Sequence, residues 1–293
     1  MLKILKESFH RVAIMPKPPW ISAIIRRLVM LLVPKRFQVG GIRYVFNPQD
    51  YIMAGTLFLG LYEKCERRIF SLLIGPGDLV IDIGANIGIF TAIAARQAGV
   101  SGSVIAFEPE PRNAGHLSEM LQLNGFNNVL LEEKALADRS STFHLYLSKD
   151  NMGDHRLQPG EEARESIEIT AVPLDEYLGG RVPKVLKMDI QGAEGLAVAG
   201  MATTLQNMPE GAMMMEFWPY ALRRAGTDPQ QILTAFAASG FAGYEIDTIK
   251  NVLCPLDEPK LLALKTEDEA ANLLFLKGDD FRTTVLGRIQ NCS

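Results

Sequence analysis

Three groups of polar residues stand where an α/β chain carries out chemistry. Asp82 lies in the apolar run Val80-Ile81-Asp82-Ile83, and Gly84-Ala85-Asn86-Ile87-Gly88 follows at once before a helical stretch around Thr91 to Gln97. A strand, a tight glycine turn and a helix N-terminus in succession form a nucleotide-type cofactor site at the carboxyl edge of a parallel sheet. In such a site Asp82 accepts hydrogen bonds from the ligand, directly or through water. Gly84 and Gly88 let the backbone come close, and Asn86 occupies the strained turn. Glu108 ends the next strand twenty positions after Gly88, where a carboxylate grips the two hydroxyls of a ribose. A second group joins Lys187, Asp189 and Glu194 to Glu216 at the following strand end. Its acids can take a proton from an acceptor, and its lysine can neutralise the charge left behind. The third is the segment 151–156, where His155 is a further candidate base because imidazole titrates near neutrality. Arg156 beside it could hold an anionic group of the acceptor. Nothing in the spacing of Asp154, His155 and Asp189 compels a divalent ion, so a metal-free site is expected.

The chemistry needs a sheet that brings these strand ends together. From residue 79 the sequence alternates short β-type runs with helical periods: strands at 79–83, 103–107, 129–132, 143–147, 167–172, 185–190 and 212–217, with helices at 112–123, 194–205 and 229–239. A run at 272–277 closes the pattern as a last, antiparallel edge strand. The expected architecture is one doubly wound, mostly parallel sheet with helices on both faces. Before it, Gly40-Gly41 centres a hairpin over 37–47, and apolar spacing predicts one helix over 56–74. The domain reading is a basic, apolar extension (1–36), a lead-in hairpin and helix (37–74), a cofactor-binding catalytic domain (75–278) and a C-terminal tail (279–293). At the level of sequence Asp189, Glu194 and Glu216 each keep a second reading, as acids that favour a following helix N-terminus. Met213-Met214-Met215 reads as strand core, and Trp218 either packs or stacks on an acceptor ring.

Asp82-x-Gly84-x-Asn86-x-Gly88, Phe107-Glu108-Pro109, the segment Val172-Pro173-Leu174-Asp175-Glu176-Tyr177 and Lys187-Met188-Asp189-Ile190-Gln191-Gly192-Ala193-Glu194, with Glu216-Phe217-Trp218-Pro219 after them, resemble the FkbM-type methyltransferases in order and spacing. The resemblance covers about residues 75–277. It implies a Rossmann-like methyltransferase sheet, S-adenosyl-L-methionine as cofactor and methylation of oxygen on a small-molecule or glycan acceptor. Gln191 departs from the pattern, since the family usually has Glu there, and this removes one carboxylate from the site. A nicotinamide-dependent oxidoreductase is the first alternative, disfavoured because Asn86 replaces the second glycine of a dinucleotide turn. The other is a non-catalytic, membrane-associated binding module on the same fold, which the leader and Gln191 would favour.

The totals narrow the partners. The 293 residues allow one large domain with extensions, and a net charge of −4 argues against nucleic acid. Cys65, Cys254 and Cys292, far apart and odd in number, suit free thiols in a reducing compartment, hence a cytoplasmic expectation. Residues 1–36 carry eight basic groups against one acid. Arg26 and Arg27 interrupt their apolar run before it reaches the roughly 18–20 residues that span a bilayer. Two readings stand: a helix capping the domain, or peripheral contact with a membrane surface.

Overall fold

A computed structural model describes residues 19–45, 51–148, 155–157, 164–267 and 269–291. The chain enters through α1 (Pro19–Leu32), followed by the hairpin β1 (Arg36–Val39) and β2 (Ile42–Val45). Phe37, Ile42 and Tyr44 point one side of the hairpin into the core. The helix expected over 56–74 is two helices, α2 (Tyr51–Phe58) and α3 (Lys64–Leu73). Between them the backbone turns left-handed at Gly60 and again at Glu63 (φ 42°), which no continuous helix permits. Apolar spacing alone ran across that break, because α3 resumes with Cys65, Ile69, Phe70 and Leu73 all buried.

The alternating unit then follows: β3 (Leu79–Ile83), α4 (Ile89–Ala98), β4 (Ser103–Phe107), α5 (Pro111–Asn124) and β5 (Val129–Glu132). Glu110 caps α5 by accepting from the Asn113 amide, with Pro111 at the first helical position. Next come β6 (Ala135–Leu136), β7 (Ser141–Tyr146), β8 (Ser166–Val172), α6 (Leu174–Leu178) and β9 (Val185–Met188). The helix expected over 194–205 is likewise divided, into α7 (Glu194–Ala199) and α8 (Ala202–Asn207). Asp175 fixes the second start by accepting from the amides of Thr203 and Thr204 and from the Thr204 hydroxyl. The remainder is β10 (Gly211–Phe217), α9 (Pro219–Arg224), α10 (Pro229–Ala238), β11 (Ala242–Asp247), β12 (Val252–Pro255), α11 (Glu258–Leu262), β13 (Ala271–Lys277) and α12 (Asp279–Asn291).

The main sheet has the order β12-β11-β13-β10-β9-β3-β4-β5. Its strands are parallel from β10 to β5, and β13 inserts antiparallel between β10 and β11. β13 is therefore interior. The edge position expected for it belongs to β12, a short strand of half-buried residues without alternation. One sheet was also too few: β6, β8 and β7 form a separate three-stranded sheet, and β1 and β2 a third. Alternating side chains split the core in two. Val80, Val104, Val185 and Met214 pack under α3, α4 and α12, whereas Ile81, Ile105, Leu186, Met213 and Met215 pack under α7, α8 and α10. The segment expected as a tail is mostly α12, anchored by Val285 and Ile289, each worth about 1.5–3 kcal/mol on full burial.

Candidate active site

Chain order reverses across β3, since β4 lies on one side of it and β9 on the other. A crevice opens at such a point beyond the carboxyl ends of the strands. Here it is a cavity of about 500 Å³, within the range of cofactor and small-ligand sites. One wall is the cofactor turn, with Gly84, Ala85, Asn86, Ile87, Glu108 and Pro109. The opposite wall comes from Thr56 and Glu63 before the sheet and from Leu145, His155 and Ile169 around the small sheet. Lys187, Asp189, Gln191 and Glu216 line it as well.

The turn is built by contacts within the chain. A Cβ on Gly84 (φ 77°) would stand 2.0 Å from the carbonyl oxygen of Asp189, so the β3 and β9 turns touch backbone to backbone. Gly88 (φ 88°) would drive its Cβ to 2.2 Å from Leu117 on α5. Both glycines thus serve close packing inside the protein as much as approach to a ligand. Asn86, left-handed at φ 51°, donates its amide to Glu108 Oε2 at 2.7 Å. The Asn86 Oδ1 atom is buried with no hydrogen-bond partner among the described residues. Glu108 Oε1 accepts from the Glu110 amide at 2.9 Å, and the Asn113 side chain hydrogen-bonds the same carboxylate. Burial pushes the Glu108 carboxyl up to about 7 despite these two amides.

Asp82 is wholly buried beneath the turn and does not line the cavity. Its Oδ2 accepts from the Thr91 hydroxyl at 2.6 Å, and its Oδ1 has no partner among the described residues. Burial raises its pKa against the pull of Lys187, which stands opposite in register on β9. Thr91 is thus the clamp on Asp82.

The acids meet at the ends of β9 and β10. Lys187 Nζ lies 3.5 Å from Asp189 Oδ2 and 4.8 Å from the centre of the Phe90 ring. Burial opposes its charge, but Asp189, Asp82, Glu63 and Glu216 outweigh that and raise its pKa. Gln191, left-handed at φ 53°, donates its side-chain amide to Asp189 Oδ1 at 2.8 Å and to Glu216 Oε2 at 2.9 Å. A glutamate there would need the three carboxyls to hold two protons among them to keep both bonds. Gln191 is therefore the neutral tie between two acids, and more than a missing carboxylate. Burial raises the Glu216 carboxyl well above the usual range, and repulsion from Asp189, Glu194 and Glu63 adds to it.

Three expected residues are placed differently. Glu194 opens α7 and turns back onto its own loop, where Oε1 accepts from the Ile190 amide at 3.3 Å; it is not part of the cavity wall. It makes no side-chain cap on α7, and its hydrogen bond instead braces the loop that leads into the helix. His155 does reach the cavity, but its Nδ1 accepts from the Ser148 amide at 3.0 Å. That bond puts the proton of the neutral ring on Nε2. Arg156 stacks on the Trp218 ring at 4.7 Å and pairs with Glu267, away from the cavity wall, so Trp218 is a packing residue. Residues 151–154 of the polar segment lie outside the described residues. Among the described residues no cluster of His, Cys, Asp and Glu could hold a metal ion.

Sequence reasoning missed Glu63 and Lys134. Glu63 was hidden inside the supposed helix over 56–74, and burial in the cavity wall pushes its carboxyl up to about 7. Lys134 follows β5 and binds Glu132 at 2.6 Å, while Tyr177 donates to the other oxygen of Glu132 at 2.8 Å. The motif at 172–177 is thereby explained: Asp175 caps α8, and Tyr177 braces the rim through Glu132.

Comparison with known proteins agrees with the motifs. The sequence model of the FkbM methyltransferase domain matches residues 82–241, more than half of the chain. No curated protein matches. Among solved structures, a Streptococcus mutans protein described as a methyltransferase, in complex with SAH, is 10% identical with a TM-score of 0.45, covering 73% of this chain and 96% of its own. A SAM-dependent O-methyltransferase from Thermotoga maritima is 16% identical at a TM-score of 0.40, with 74% of this chain and 66% of that one covered. A methyltransferase from Geobacter sulfurreducens is 14% identical at 0.40, with 93% and 95% covered.

Proposed function

The chain belongs to the FkbM methyltransferase family, and from that premise we propose that it methylates a hydroxyl oxygen of a small-molecule or glycan acceptor. The cofactor of this family is S-adenosylmethionine, which when bound supplies an electrophilic methyl group. The turn suits it. Glu108 lines the cavity, where it can accept from a ribose hydroxyl, and the orphaned Asn86 Oδ1 can accept from an ammonium at the amino-acid end. Asp82 acts from beneath, holding the start of α4 through Thr91.

The observation that carries the oxygen reading is Asp189, fixed between Lys187 and Gln191 in the same cavity as the cofactor turn. A hydroxyl is a poor nucleophile until its proton has somewhere to go. An acceptor hydroxyl would pass its proton to the Asp189 carboxylate beside the Lys187 cation as its oxygen takes the methyl group, with the neutral thioether as leaving group. Glu63 and Glu216, both raised toward the protonated form, supply hydrogen bonds to neighbouring hydroxyls. Leu145, Leu157 and Ile169 exclude water from the same space.

Transfer of labelled methyl to a panel of sugars, hydroxylated small molecules and amines tests this. Label on hydroxylated acceptors is expected; label on amines alone would refute the oxygen assignment. In Asp189→Asn turnover should fall by about 10²–10⁴-fold, the usual share of general acid–base catalysis, with cofactor affinity and thermal midpoint nearly unchanged. Near-normal turnover in that folded variant would transfer the base role to Glu216 or Glu63.

A further inference from the structure

Helix α1 is apolar on two opposite sides. Its inner line, Val29 continued by Val33, is buried, with Val29 against Gly55 of α2. Its outer line is Ile24, Leu28 and Leu31 at helical spacing, joined by Leu32. These face solvent, with Leu31 81% and Leu32 67% exposed, where a cap would leave polar residues. Ile52 and Phe58 on the adjoining α2 are also partly exposed, so exposed apolar side chains occur on both helices of this region.

We infer that this outer face of α1 docks on the surface of an anionic lipid bilayer. Charge selects the partner. Arg27, Lys35 and Arg36 are exposed beside the stripe, and residues 1–36 hold eight basic groups against one acid in a chain that is acidic overall. A second copy of the chain would bring like charges together across a two-fold contact, whereas an anionic lipid surface attracts them. Length sets the mode: fourteen residues extend about 21 Å, so the helix lies in the interface plane. Among the described residues no helix is long and apolar enough to cross a membrane. Ile52 is both partly exposed and part of the cavity wall, so docking would turn that side of the cavity toward the lipid.

The test is co-sedimentation of the full chain with phosphatidylcholine vesicles, with and without phosphatidylglycerol. The chain should pellet with the anionic vesicles and be released by salt. Leu28→Ser/Leu31→Ser/Leu32→Ser removes apolar contact without adding charge and alters only exposed positions. It should lose most of the pelleted fraction while binding S-adenosylmethionine as before. Failure of the parent chain to pellet, or equal pelleting by the triple variant, would overturn the proposal. So would a self-associated chain that binds no vesicle and is made monomeric by the triple variant. None of these outcomes depends on methyl transfer.

Discussion

At the scale of single residues, the unusual feature is an amide where a third acid would stand. Gln191 donates one N–H to Asp189 and the other to Glu216 at once. The bridge keeps two strand ends in place without a shared proton. Gln191→Glu should retain the geometry only while the three acids hold two protons among them, so its turnover should decline as pH rises through neutrality, relative to the parent. Gln191→Leu should lose activity at every pH because nothing ties the acids. PH–rate profiles check this, and parallel curves for parent and Gln191→Glu would show that the bridge has no part in catalysis. The residues that could be read from sequence were those whose type suffices: an acid at a strand end, a glycine in a turn. Gln191 could not, because its role depends on two partners that only the fold brings within reach.

At the scale of elements, the site exists because two turns touch. The β3 turn carries the cofactor residues, the β9 turn carries Asp189 and Gln191, and Gly84 is the contact. Gly84→Ala should therefore destabilise the protein by at least about 2 kcal/mol in urea unfolding, from left-handed strain and a backbone collision together. A loss within a few tenths would mean that the two turns can separate freely. The parallel strands were legible because they are short apolar runs between turn signals. The breaks at Glu63 and at Gly200-Met201 were not, because apolar spacing resumes in phase beyond each of them. β11 and β12 escaped notice for a related reason, since most of their residues are half-buried and show little alternation. The missed break at Glu63 concealed a wall of the cavity.

At the scale of the whole molecule, the cavity concentrates acids at a cost in stability. Glu63, Glu108 and Glu194 are pushed up to about 7 from an ordinary value of 4.5, chiefly by burial. Between those values the native state holds more protons than the unfolded chain. Their contribution is complete below about pH 4.5 and is lost as pH rises through about 7. The cofactor-free protein should thus be a few kcal/mol less stable in urea at about pH 8 than at about pH 5. A flat or rising profile would show that the acids are more solvated than the fold indicates. The central claim, that the cleft between the β3 and β9 turns takes S-adenosylmethionine with Glu108 on its ribose, is tested most directly by calorimetric titration. The parent chain should bind one equivalent, and Glu108→Ala should bind more weakly by about 1.5–3 kcal/mol, the range for hydrogen bonds to a charged group. No heat of binding in the parent, or equal affinity in the folded variant, would contradict the account.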